Sequence, residues 1–143
     1  MPNIDLSSNL QEITITRNGK DVGVIYFDPT DSAILSRLND IREDIKVMHE
    51  ELRDYAATEH TQDEQFDKIK ELDHILRGKI DYAFDYPCSE VVFGNSFVFT
   101  SKGGVTQLEQ FIDGAAKIIT NAIDKETKAA QKRQAKYLDR YKK

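Results

Sequence analysis

The sequence predicts a mainly α, α+β fold: an N-terminal β-hairpin, a helical hairpin and a third long helix. Three observations predict it. Ile34, Leu38, Ile41, Ile45, Met48, Leu52 and Tyr55 recur at alternating steps of four and three, which keeps one seam of a helix apolar. Asn18-Gly19 sits between two runs rich in β-branched residues, a strong short-range hairpin signal. Leu108, Phe111, Ile112, Ala115, Ile118, Ile119, Ala122 and Ile123 form a broad apolar stripe at helical spacing.

A chain of 143 residues fits one domain, here expected over 1–124 with a basic C-terminal tail over 125–143. Charge marks that boundary. Residues 1–124 hold 12 Lys+Arg against 23 Asp+Glu, a balance of -11, whereas 125–143 hold 8 against 2, a balance of +6. The total of -5 argues against a general nucleic-acid binder. One cysteine, Cys88, excludes an internal disulfide framework, and the first ten residues lack the charged and apolar regions of a secretion signal. No apolar run approaches the roughly 20 residues of a membrane span. The expected location is therefore the cytosol.

Residues 1–9 are polar, lack periodicity and read as a loose lead-in. The hairpin is expected over 10–27, with Ile13 and Ile15 on one face and Val22 to Phe27 as the second strand. Two strands alone are marginal in water, so the apolar face should lie on the helices or pair with another chain. Pro29 stops the ladder, and Asp28, Thr30 and Asp31 are suited to accept from the first turn of a helix over 31–57. At about 1.5 Å per residue that helix is roughly 37 Å long, so only another long helix covers its seam.

Thr61-Gln62-Asp63-Glu64 has the capping-box form and opens a second helix over 62–85. Phe66, Ile69, Leu76, Ile80 and Ala83 continue the three-and-four spacing if Asp73 is admitted as a polar seam position. A short connection between long helices makes them antiparallel. Pro87 ends the helix, Pro87 to Phe93 forms a short helical segment closed at Gly94, and Asn95 to Thr100 is a brief extended piece or buried loop. Lys102-Gly103-Gly104 is a flexible turn before a third helix over 105–123, expected to pack on both earlier ones. Beyond it Lys125, Lys128, Lys132, Lys136 and Arg140, with Arg133, make a basic face if the tail is helical, with Tyr137 and Tyr141 beside it.

Chemical motifs are incomplete. His49-Glu50 lacks the second histidine of a zinc-protease helix, because Arg53 stands in its place, and His49, His60 and His74 read as surface residues. Gly78-Lys79 has neither the upstream glycine nor the following Ser/Thr of a phosphate loop. Cys88 reads as a small buried hydrophobe, and Asp81 with Asp85 would need a cleft to act as a carboxylate pair. No catalytic, cofactor or metal residue is assigned. The basic tail reads either as a solvated terminus or as a docking segment for an acidic helix or phosphates, with nucleic acid the weaker choice.

Three stretches resemble a family of small proteins from the tail-gene modules of long-tailed phages of Gram-positive bacteria, the tail assembly chaperones. They are Gly23-Val24-Ile25-Tyr26-Phe27-Asp28-Pro29-Thr30-Asp31, Cys88-Ser89-Glu90-Val91-Val92-Phe93-Gly94, and the apolar helix with its charged tail. Members often carry Pro and Trp where this chain has Gly103-Gly104-Val105-Thr106. The resemblance implies a non-enzymatic role in the host cell cytoplasm: coating the tape-measure protein, keeping it soluble and bringing tail-tube protein to it. It also implies a longer frameshifted form, with which Lys142-Lys143 is compatible. Homo-oligomerisation is a further partner expectation. The partner-binding residues expected on this basis are Phe66, Ile69, Leu76, Leu108 and Phe111 on apolar faces, and Lys128, Lys132, Lys136, Tyr137 and Arg140 on the tail. A structural virion component and a small acidic inhibitor of host defence are the rival readings.

Overall fold

Asn18 and Gly19 both have positive φ, 52° and 79°, the turn that matches the right-handed twist of two antiparallel strands. They join β1 (Gln11–Arg17) to β2 (Lys20–Phe27) in a computed structural model that describes residues 1–141, with side chains as far as Arg140. The pairing shifts between Ile15 and Thr16, so that Val22 is skipped and Ile13 stands opposite Ile25. This bulge places Ile25 on the same face as Ile13 and Ile15; in unbroken register Ile13 would oppose Val24 and Ile25 would point to solvent. Gly23 lets β2 lie directly on the next layer, because a Cβ there would stand 2.7 Å from Cγ1 of Val91.

Asp28 closes the hairpin by accepting from the Thr30 amide at 2.8 Å and the Thr30 hydroxyl at 2.6 Å. Burial acts to raise its carboxyl, but these bonds and one from the Asn9 amide outweigh it and hold the carboxyl below its usual value. Asp31 then caps α1 (Ser32–Ala56) by accepting from the Ala33 amide. The expected capping box is present: the Glu64 amide donates to Thr61 Oγ1 and the Thr61 amide to Glu64 Oε1, opening α2 (Gln62–Phe84). Ile34, Leu38, Ile41 and Ile45 are buried against α2, while Met48, Leu52 and Tyr55 are half-buried as the helical hairpin runs past the rest of the core.

Asp85 takes the left-handed conformation at the end of α2, and α3 (Ser89–Phe93) follows. Asp81 accepts from the Ser89 amide at 2.8 Å and its hydroxyl at 3.1 Å, so it serves α3 and not a carboxylate pair with Asp85. The segment read as a flexible turn is a second small ribbon, β3 (Ser101–Lys102) and β4 (Val105–Thr106), turning at Gly103 and Gly104 with φ of 60° and 83°. Thr106 then accepts from the Glu109 amide to open α4.

Helix α4 runs unbroken over Gln107–Tyr141: the sequence ended its third helix at 123 and read the tail beyond as helical or frayed, and as far as Tyr141 that tail is helical and continuous with α4. Residues 124–141 contain no Gly or Pro and are rich in Ala, Lys, Gln and Arg, so nothing stops propagation. Arg42 bonds Asp113 at 3.0 Å and His49 lies 3.9 Å from Glu109, so α4 is antiparallel to α1. It packs chiefly on α1 and meets α2 through the aromatics. Phe27, Phe84, Phe111 and Phe93 form a chain of rings with centroids 5.1, 5.6 and 5.9 Å apart, joining the hairpin, α2, α4 and α3.

One buried polar group orders the connection into α4. Asp73 accepts from Arg77 Nε at 2.9 Å and from the Val98 amide at 2.7 Å, and Arg77 donates to the carbonyls of Gly94 and Ser96. Replacing Asp73 by Ala should leave the Val98 amide and Arg77 Nε without acceptors and take away the partner of the guanidinium charge, at a cost of about 3–5 kcal/mol. Thermal melting of Asp73→Ala should show a loss of roughly 10 °C. An unchanged midpoint would mean that the 94–98 loop is held by other contacts.

Candidate functional site

From Asp124 to Arg140 every side chain is exposed, so the second half of α4 leaves the body as a single solvated helix. At about 1.5 Å per residue this extension is roughly 27 Å long, and it projects beyond the N-terminal end of α1. Lys125, Lys128, Lys132, Lys136 and Arg140 lie on one of its faces. Among the described residues none of the five makes an ion pair. Tyr137 adds exposed apolar surface at the edge of this face, and Leu138 is exposed on the opposite side of the helix. The Tyr141 side chain, Lys142 and Lys143 lie outside the described residues.

The other expected contact residues do not join this face. Phe66 is 44% exposed and Ile69 half-buried, both in the half of α2 next to the α1–α2 turn, at the opposite end of the molecule from the extension. Leu76 and Leu108 are corrections: both are fully buried core residues, because their helix faces are covered by the other layers, and neither presents surface to a partner. Phe111 is half-buried within the aromatic chain. The expected contact set thus divides into two distant surfaces and a core.

The polar residues weighed for chemistry are dispersed. His49 packs edge-on against Phe99, His60 stacks on Tyr55 with centroids 3.7 Å apart and contacts Glu64, and His74 is exposed elsewhere on α2. Among the described residues no group of three His, Cys, Asp or Glu is suited to hold a metal. Among the described residues no helix is long and apolar enough to cross a membrane. Cys88 is fully buried, and burial, aided by the charge of Asp81, pushes its thiol up to about 12. That makes it an inert hydrophobe at neutral pH.

A feature that the sequence reading did not single out lies between β1 and α4. There Ile13, Ile15, Phe111 and Ile118 line an open groove of about 550 Å³. Arg17 bridges one end, donating to Gln107 Oε1 and to the Val92 carbonyl, both at 3.1 Å. The expectation that a two-stranded hairpin needs a covering partner was the signal for it. Comparison of the chain with protein-family models, with curated proteins and with solved structures finds no match.

Two outcomes follow from these placements. A chain truncated after Asp124 should unfold cooperatively with a midpoint close to that of the full chain, since every side chain described beyond that point is exposed; scanning calorimetry gives the answer. Cys88 stabilises the fold fully below the unfolded thiol value of 9.0 and loses that contribution as pH rises towards about 12, because its folded value is raised. The stability advantage of the wild-type chain over Cys88→Ala, measured by urea unfolding, should therefore shrink over that interval.

Proposed function

We propose that this chain is a tail assembly chaperone of a long-tailed phage, binding and solubilising the tape-measure protein and helping recruit tail-tube subunits in the host cell cytoplasm. The role is non-enzymatic. The observation that carries the reading is the exposed basic helix beyond Asp124, a surface with surplus positive charge on an otherwise acidic chain. Helical partners dock on helical surfaces through apolar anchors, and complementary charge sets the rate and register of encounter. Tyr137 supplies apolar area beside the lysines, and Phe66 with Ile69 offers a second contact at the far end. The resemblance of Gly23 to Asp31, of Cys88 to Gly94 and of the last helix to that phage family supports the same reading.

Co-expression with the tape measure of the same phage tests it. The tape measure should move from the pellet to the soluble fraction, and truncation after Asp124 should weaken that effect. The loss on truncation should be greatest at low salt, since a Debye length of about 8 Å at physiological ionic strength screens exposed charges. A tape measure that stays insoluble overturns the chaperone reading. Stoichiometric recovery of this chain in washed particles replaces it with a structural role.

A further inference from the structure

The groove between β1 and α4 has the features of a site for an extended, acidic and apolar segment. Six consecutive residues from Ile13 to Asn18 line it, so the backbone edge of β1, and not only its inward side chains, faces the opening. Among the described residues β1 pairs with β2 alone, which leaves alternate amides and carbonyls along that edge without a strand partner. The floor is apolar, formed by Ile13, Ile15 and Phe111, with Ile118 of α4 37% exposed on the far wall. The charged lining residues are both cationic, Arg17 and Lys102, and among the described residues neither makes an ion pair.

The chain carries a segment of matching character. Residues 1–10 have no regular structure and are exposed throughout, with Ile4 and Leu6 at 89% and 85% and Asp5 between them. An apolar-acidic-apolar alternation suits a strand laid along β1: both apolar side chains on the groove side, the backbone on the free edge and the carboxylate on the outer side, where the exposed Lys102 and not the inward Arg17 is the cation it can meet. The arm does not lead towards its own groove. Asn9 donates through its amide to Asp28 and through its side chain to Thr30, tying the base of the arm to the passage between β2 and α1. None of those three residues lines the groove.

We propose that the N-terminal arm of one copy of this chain seats in the β1–α4 groove of a second copy, adding a strand to the hairpin. Reciprocal exchange closes a dimer, and one-way donation makes a ring or a filament. This assembly is independent of the tape-measure reading, since it uses neither the basic helix nor Phe66.

The test uses three proteins and one peptide. The proteins are the full chain, a chain lacking residues 1–8, and Gly114→Leu. Gly114 lines the groove within α4, and a Cβ there meets nothing within 4 Å, so the leucine fills the groove without disturbing the helix. By sedimentation equilibrium the full chain should associate as concentration rises, while the arm-less chain and Gly114→Leu stay monomeric. A labelled peptide of residues 1–10 should bind the arm-less chain in fluorescence anisotropy, about tenfold more weakly when Asp5 is replaced by Lys, and it should lose binding when Gly114→Leu is also present. A monomeric full chain, an arm-less chain that associates as strongly as the full one, or a scrambled peptide that binds equally well overturns the proposal. The anisotropy arm stands even if Gly114→Leu fails to fold, because it compares peptides on an unchanged groove.

Discussion

Asp73 and Arg77 are the pair on which the arrangement of the second half of the chain depends. Both sit on α2, yet their hydrogen bonds go to the loop that follows α3: Asp73 to the Val98 amide, Arg77 to the carbonyls of Gly94 and Ser96. Val98 in turn accepts from the Leu108 amide at 3.1 Å, which starts α4 beside it. Arg77 also lies over the Phe93 ring, 5.7 Å from its centroid, and so contacts the aromatic chain. Val98 is fully buried and Ser96 half-buried, so water has little or no access to their backbone groups, which need partners within the protein, whereas Gly94 is exposed. A single ion pair, i,i+4 on a helix, satisfies several of them together and fixes where α4 begins.

The hairpin shows the same economy. Two strands in water gain too little from pairing to persist alone, so the ribbon must be held by what it covers. The bulge at Val22 turns Ile25 and Phe27 inward together with Ile13 and Ile15, and Phe27 then meets Phe84. Arg17 ties the turn end to α3 and α4, while Tyr86 accepts from the Tyr26 amide on the other edge. β2 is consequently clamped against α3 and α2. β1 keeps one open edge, and that inequality between the two strands creates the groove.

What could be read from the sequence was whatever rests on local periodicity or local hydrogen bonding. The heptad from Ile34, the capping box at Thr61, the turn at Asn18-Gly19 and the short α3 before Gly94 all involve residues within a few positions of one another. Asp73 as a polar seam residue was legible as a break in a pattern, but its role was not, since Val98 is remote in sequence. The bulge was hidden because Val22 has ordinary strand character; only the packing against Val91 and Phe84 selects the shifted register. The end of the last helix was misplaced because apolar periodicity stops at Ile123 while helix propensity continues, and propensity alone sustains a solvated helix when it grows from an anchored one. Ile4 and Leu6 form an alternation too short to register as a period, and Leu76 and Leu108 look like any other apolar position on a broad stripe until the layers that cover them are in place.

Helix continuity, and not charge, keeps the extension from collapsing onto its own body. A segment carrying +6 is attracted to residues carrying -11, and a flexible tail of that composition would fold back across the acidic faces of α1 and α2. Continuity with α4 forbids this. Folding back requires breaking the helix near Asp124, with loss of several backbone hydrogen bonds and renewed nucleation, whereas exposed ion pairs return only about 0–1 kcal/mol each. At roughly 27 Å the extension also exceeds the Debye length of about 8 Å several times over, so its outer lysines scarcely feel the body at physiological salt. Helix stiffness therefore outweighs Coulomb attraction within the molecule, and the positive charge stands where only a second molecule can neutralise it.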